Sequence, residues 1–278
     1  MTITMIKGEN KVNNSTPNVN SLFAQAHDYG DLSEEAYKAL SVADLGAQIQ
    51  AAMGVPALNV PASRGVLLTM LIDDSGSIQY RGNEQTVRDG YNEVIGAMRD
   101  SRQAGETLVT TRYLNGRILY PYQFLAHVPL LDKQNYHAGG GTPLYDQTIA
   151  TLGTVIAKTL EFGNNGTPVS TVTLIVTDGN DESSSSTARE VAAIVTDMLA
   201  QECHIVAGMG ISDGSTDFAR VFREMGVPDQ WVLTPRNDPK EIRRAFQLFS
   251  QSAIRASSSG LGFSQTAQSG VSMGGFGV

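Results

Sequence analysis

The chain has 278 residues, 41% of them hydrophobic and 17% charged, with a formal net charge of −8. That is enough for one large α/β domain with extensions, and an acidic balance without any Lys/Arg cluster speaks against a nucleic-acid partner. The single cysteine, Cys203, excludes an intrachain disulfide and suits a reducing compartment. No run is long enough to span a membrane and Met1–Ile6 is too short for a secretory segment, so the expected location is cytoplasmic.

Met1–Gly30 is polar and Asn-rich and reads as a flexible arm. Residues 31–64 read as a short helical extension and linker. Asp31 with Glu34, and Ser41 with Asp44, have the spacing of capping boxes. Leu45, Ile49 and Met53 form a stripe that ends at Gly54, a fitting residue just past a helix. Pro56 and Pro61 make the stretch after it extended.

The main domain is expected over residues 65–258. Val66–Ile72 is an apolar run without alternation, as expected of a strand buried on both faces in the middle of a parallel sheet. Thr86–Ser101 carries Val87, Tyr91, Val94, Ile95 and Met98 at helical spacing. Thr107–Leu114 is a strand, and Asn115-Gly116 turns it into an antiparallel partner, Arg117–Phe124, whose Pro121 suits a sheet edge. A glycine loop, His137–Leu144, leads into a helix over Tyr145–Phe162. Then follow a strand at Thr171–Val176, a helix at Thr187–Glu202, a strand at His204–Gly210, a helix at Asp217–Met225, a short strand at Trp231–Leu233 and a last helix opened by Asp238 and Pro239. Strands alternating with helices predict an α/β fold with a mostly parallel sheet and helices on both faces. Residues 259–278 form a Gly/Ser-rich tail without charge, expected to be flexible; Phe263 and Phe276 are its only aromatics and could support self-association.

Three oxygen-bearing segments fall at strand ends or loops: Asp73, Ser75 and Ser77 after the first strand, Thr142 in the glycine loop, and Asp178 after Thr171–Val176. Ligands in open α/β sheets bind beyond the carboxyl ends of the strands. Carboxylates and hydroxyls there are hard donors suited to Mg²⁺, and less distinctively to Mn²⁺ or Ca²⁺. Asp74 reads as a solvated neighbour in preference to an acceptor behind the metal ligands, and Asp146 as a helix-dipole partner or cap, with a supporting role behind the ligands as the alternative. The four histidines show no metal spacing. A Mg²⁺-dependent phosphohydrolase with Asp73 as nucleophile is the competing class, but its D-x-D pattern would need Asp at position 75, which is Ser75.

D-x-S-G-S after an apolar strand, G-G-T-P-L before a helix and T-D-G after a later strand resemble the von Willebrand factor A (vWA) domain and its metal-ion-dependent adhesion site, a Rossmann-like fold. The resemblance spans Gly65 to Ser258. It implies that Ser75, Ser77 and Thr142 contact a metal by hydroxyl, and Asp73 and Asp178 directly or through water. It also implies a non-catalytic module whose protein partner donates an Asp or Glu to the metal. The last helix and Ser250–Ser259 are similar to bacterial vWA proteins of tellurium-resistance and stress operons, which implies a cytoplasmic partner of other operon products.

Overall fold

A computed structural model describes residues 18–258. Its frame is one six-stranded sheet: β1 (Gly65–Ile72), β2 (Thr107–Tyr113), β3 (Ile118–Phe124), β4 (Val169–Thr177), β5 (His204–Gly210) and β6 (Val232–Leu233). The order is β3-β2-β1-β4-β5-β6. All pairs are parallel except β2 with the edge strand β3, so the expected α/β class and the antiparallel edge both hold. Every residue of β1, β2, β4 and β5 is buried, as expected of strands whose two faces are both covered.

The α-helices of the described residues are α1 (Val19–Asp28), α2 (Glu34–Leu40), α3 (Leu45–Ala52), α4 (Gly76–Tyr80), α5 (Glu84–Arg99), α6 (Leu144–Asn164), α7 (Ala188–Ala200), α8 (Phe218–Glu224) and α9 (Pro239–Ser258). Alternate strand residues face opposite layers. Leu71, Ile175 and Val206 meet α6, α7 and the N-terminal helices; Met70, Ile72, Leu174 and Val176 meet α5 and α9.

The N-terminal residues differ from the sequence reading. The arm expected over Met1–Gly30 does not extend through Val19–Asp28, which is helical and buries Val19, Leu22, Phe23 and Ala26. Residues 1–17 and the tail at 259–278, with Phe263 and Phe276, lie outside the described residues. Neither expected capping box forms. Ser33 caps α2, its hydroxyl accepting from the Ala36 amide, and Asp44 precedes α3 at φ +67° with no side-chain cap. The sequence Thr187-Ala-Arg-Glu190 does form a capping box, on α7.

The stretch after α3 is fixed rather than free. Val55 donates its amide to the Tyr122 carbonyl on the edge strand, at 2.8 Å. Gly54 sits at φ +59°, and a Cβ there would lie 2.0 Å from that same carbonyl oxygen, so only glycine fits. Beneath it a buried pair on α6, Lys158 with Glu161 at 2.7 Å, holds the strap from the other side: Lys158 donates to the Val55 carbonyl and Glu161 accepts the Ala57 amide.

Candidate functional site

β1 and β4 lie side by side, and each is followed by an aspartate near its carboxyl end, Asp73 and Asp178. From β1 the chain builds the sheet towards β2 and β3; from β4 it builds towards β5 and β6. The gap between the two strand ends is therefore the topological switch point, where open α/β sheets bind ligands.

Asp73 is fully buried. Its Oδ1 accepts the Ser75 amide at 2.7 Å, while Oδ2 accepts the Thr177 hydroxyl at 2.9 Å and the Asp178 amide at 3.0 Å. The Tyr136 hydroxyl donates to the Asp73 carbonyl at 2.5 Å. Burial raises the carboxyl's pKa and the nearby Asp178 charge adds to that, against hydrogen bonds from Ser75 and Asp178 that lower it. Asp73 thus welds the end of β1 to the start of the next loop, and it does so as a carboxylate that would gain from a nearby cation.

The remaining oxygens form a chain. Ser77 donates to Asp178 Oδ1 at 2.5 Å. Its single proton being spent there, Ser75 is the donor in the 2.8 Å contact between the two hydroxyls. On the other oxygen, Arg81 Nη1 lies 2.9 Å from Asp178 Oδ2 and 2.9 Å from the Asp178 carbonyl. The carboxylate of Asp178 is wholly buried, whereas the Arg81 side chain is 27% exposed.

Thr142 is brought up by the glycine loop. Gly139 and Gly140 donate their amides to the Asp74 carbonyl at 2.8 and 3.0 Å, and Gly76 donates to the Gly140 carbonyl at 3.0 Å. The Thr142 carbonyl accepts from Leu144 and Glu182, which ties the loop after Asp178 to the glycine loop. Asp146 strengthens that tie. It does not cap its own helix but reaches across to accept the Ser185 and Ser186 amides, each at 2.9 Å. Asp181 reciprocates by accepting the Tyr145 amide at the start of α6.

Asp74 is not solvated as its sequence position suggests. It is buried, accepts the Asn115 amide at 3.0 Å, and burial pushes its carboxyl up to about 6. It therefore braces the β2–β3 hairpin against the acidic turn. His137 is exposed, and His204 is a core histidine on β5 whose imidazole contacts the Thr171 hydroxyl at 2.7 Å.

Ser75, Ser77, Thr142 and Asp178 line one open cavity of about 340 Å³, with Asp73 immediately behind them. Arg81, Glu182 and Asp213 are the other charged residues of its wall, so three carboxylates face one guanidinium. The structure thus gathers the residues that the sequence analysis singled out, and adds Arg81, Tyr136 and Asp181, which it missed. Arg81 lies four residues beyond Ser77, one helical turn on, and that spacing is the one signal that pointed to it. Among the described residues no group of three or more His, Cys, Asp or Glu side chains is placed to hold a metal. The donor set here is instead two carboxylates with three hydroxyls. Hard oxygens in an acidic cavity, with a guanidinium already drawn to one of the carboxylates, fit a divalent cation such as Mg²⁺ or Mn²⁺.

No protein-family model and no curated protein matches the sequence. Solved structures do match by shape. The pilus adhesin SpaC from Lactobacillus rhamnosus GG, in its open conformation, aligns with a TM-score of 0.51 at 12% identity, over 70% of this chain and 30% of that one. The SpRpn10 VWA domain aligns at a TM-score of 0.44 and 10% identity, over 68% of this chain and 95% of that domain. Manganese-loaded TRAP protein of Plasmodium vivax gives 0.41 at 18% identity, over 68% and 74%. At such identities the likeness concerns the fold alone, and the SpaC match carries it; this chain corresponds to less than a third of the SpaC chain.

Proposed function

We propose that this chain is a non-catalytic vWA-type module that binds a protein partner through a divalent metal held by Asp73, Ser75, Ser77, Thr142 and Asp178. The observation that carries this reading is the convergence of three hydroxyl-bearing residues and the buried carboxylate of Asp178 on one cavity at the switch point of the sheet, with the Asp73 carboxylate immediately behind it. Bound there, Mg²⁺, Mn²⁺ or Ca²⁺ would supply an open Lewis-acidic position for an Asp or Glu of the partner. The chain's own residues do the rest. Asp73 fixes the turn that aims Ser75 and Ser77, the tied loops hold Thr142 opposite them, and the acidic wall repels carboxylates in the absence of a metal.

The phosphohydrolase alternative is disfavoured by geometry. Both Asp73 oxygens are engaged by three donors and the side chain does not line the cavity, so it is badly presented as a nucleophile. SpaC is a pilus adhesin, which agrees with the proposed class. The tellurium-resistance resemblance of the last helix and Ser250–Ser259 supports a setting in a cytoplasmic complex.

The test is calorimetric titration with Mg²⁺ and Mn²⁺, followed by affinity capture of partners with metal and again with chelator. Metal binding that weakens in Thr142→Ala, and capture that is lost in chelator without unfolding, are the expected results. A partner that stays bound in chelator would overturn the metal-bridged mechanism.

A further inference from the structure

The proposed metal site contains a cation of its own. Arg81 places Nη1 at 2.9 Å from Asp178 Oδ2, and Ser77 takes Oδ1 at 2.5 Å, so both oxygens of that carboxylate are spoken for. Among the side chains lining the cavity Arg81 is the one base, against Asp178, Glu182 and Asp213. We infer that Arg81 is a displaceable internal counter-cation: its guanidinium neutralises Asp178 in the metal-free protein, and a divalent ion must compete with it for that carboxylate.

The local structure favours an exchangeable contact over a permanent one. The Arg81 backbone is fixed, its amide donating to the Ser77 carbonyl at 3.0 Å, so the turn that carries Ser75 and Ser77 need not move. The side chain, in contrast, is partly open to solvent while Asp178 is not. The guanidinium can therefore swing out and keep its hydration, whereas the carboxylate stays where it is and must always have a partner, since an unpaired buried charge is costly. Ser77 need not leave, because a hydroxyl that donates to Asp178 still has lone pairs for a metal. Exchanging one cation for another in this way keeps the buried carboxylate compensated in both states.

The consequence is an affinity lowered by occupancy. If Arg81 engages Asp178 about nine-tenths of the time, the apparent metal affinity is about tenfold weaker than that of the bare site. This inference rests on the metal reading of the site, and one experiment separates the two. Wild type, Arg81→Gln and Thr142→Ala are titrated with Mn²⁺, free ion being followed by electron paramagnetic resonance, and their melting temperatures are measured without metal. The competing-cation inference expects Arg81→Gln to bind Mn²⁺ about tenfold more tightly than wild type and to melt lower in the metal-free state, with Mn²⁺ raising its melting temperature more than that of wild type. Equal or weaker binding by Arg81→Gln, with wild type still binding and Thr142→Ala binding more weakly than wild type, would overturn the inference and leave the metal reading standing. Binding by neither wild type nor Arg81→Gln would overturn both. Binding by Arg81→Gln alone would overturn the displaceable contact, the guanidinium then holding Asp178 permanently, and with it the metal reading of the wild-type chain.

Discussion

A carboxylate that serves three donors with two oxygens is structural before it is anything else, and Asp73 is such a group. Asp73→Ala leaves the Ser75 and Asp178 amides and the Thr177 hydroxyl without their acceptor. It is expected to cost about 3 kcal/mol in a urea melt, the relief of burying a charge beside Asp178 offsetting part of the loss. Loss of metal binding in that variant would therefore be a poor test of ligation. Thr142 is the better probe, because it is positioned through its carbonyl. Thr142→Ala should cost less than about 1 kcal/mol of stability while weakening metal binding. A second residue-scale expectation concerns acid. Burial pulls the His204 imidazole down to about 4, so the folded chain keeps it neutral where the unfolded chain, with a pKa near 6.5, takes up a proton. Stability should fall as pH drops from about 7 towards 4, by on the order of 3 kcal/mol at the limit. Asp74 acts in the opposite sense. Its folded pKa is about 6, above its ordinary value, so its contribution is complete near pH 4 and is lost as pH rises through 6. The measurement is accordingly a difference: on going from pH 7 to pH 5 the stability of His204→Gln in urea melts should change in the favourable direction relative to that of wild type, because Asp74 is then unopposed, and equal changes would remove His204 from the account. The spacing of Asp73, Ser75 and Ser77 was legible in the sequence because one turn carries all three. The Arg81–Asp178 contact spans 97 residues of chain, and the one local hint of it is the helical spacing of Arg81 from Ser77. Asp74 was misread for the same reason: its partner, Asn115, lies on a distant hairpin.

Elements were most legible where burial is complete. β1, β4 and β5 are covered on both faces, and mainly apolar runs without alternation have few other uses. α1 was missed although Val19, Leu22, Phe23 and Ala26 carry a helical period; the Asn-rich composition around them outweighed a stripe only four residues long. The displaced cap on α2 follows from Ser33, which sits one position before the first helical residue and offers a hydroxyl, where Asp31 is two residues too early. Between helices, α5 and α9 approach so closely that a Cβ on Gly90 would lie 2.1 Å from the Phe246 ring. Gly90→Ala should therefore cost about 2 kcal/mol through overpacking. In the double variant Gly90→Ala/Phe246→Leu the loss should be smaller than the sum of the single losses, as expected of residues in contact. Additive losses in chemical denaturation would mean that the two helices do not constrain each other at this point.

At the scale of the molecule, the site exists because the chain reverses its direction of sheet building between β1 and β4. That reversal could be anticipated from alternating strands and helices, since a doubly wound sheet has such a point somewhere; which strand ends it joins was indicated by the two aspartates. The edges of the sheet carry a different message. β6 is two residues long, too short to recruit a neighbour, and β3 is seven residues long with an apolar stretch that includes Tyr120 and Tyr122. An open edge of that length is a template on which another chain can add. The strap at Gly54–Val55 denies it one carbonyl and is nailed down by Lys158 and Glu161 from beneath. Gly54→Val, which puts a side chain where a carbonyl oxygen already lies and forces a left-handed backbone on a branched residue, should lift the strap. The expected result is a chain that still folds around β1 and β4 but associates on concentration, seen as growing light scattering; a monomeric variant would show the edge to be harmless. A few residues on the far side of the sheet from any ligand thus govern how crowded a solution this protein tolerates.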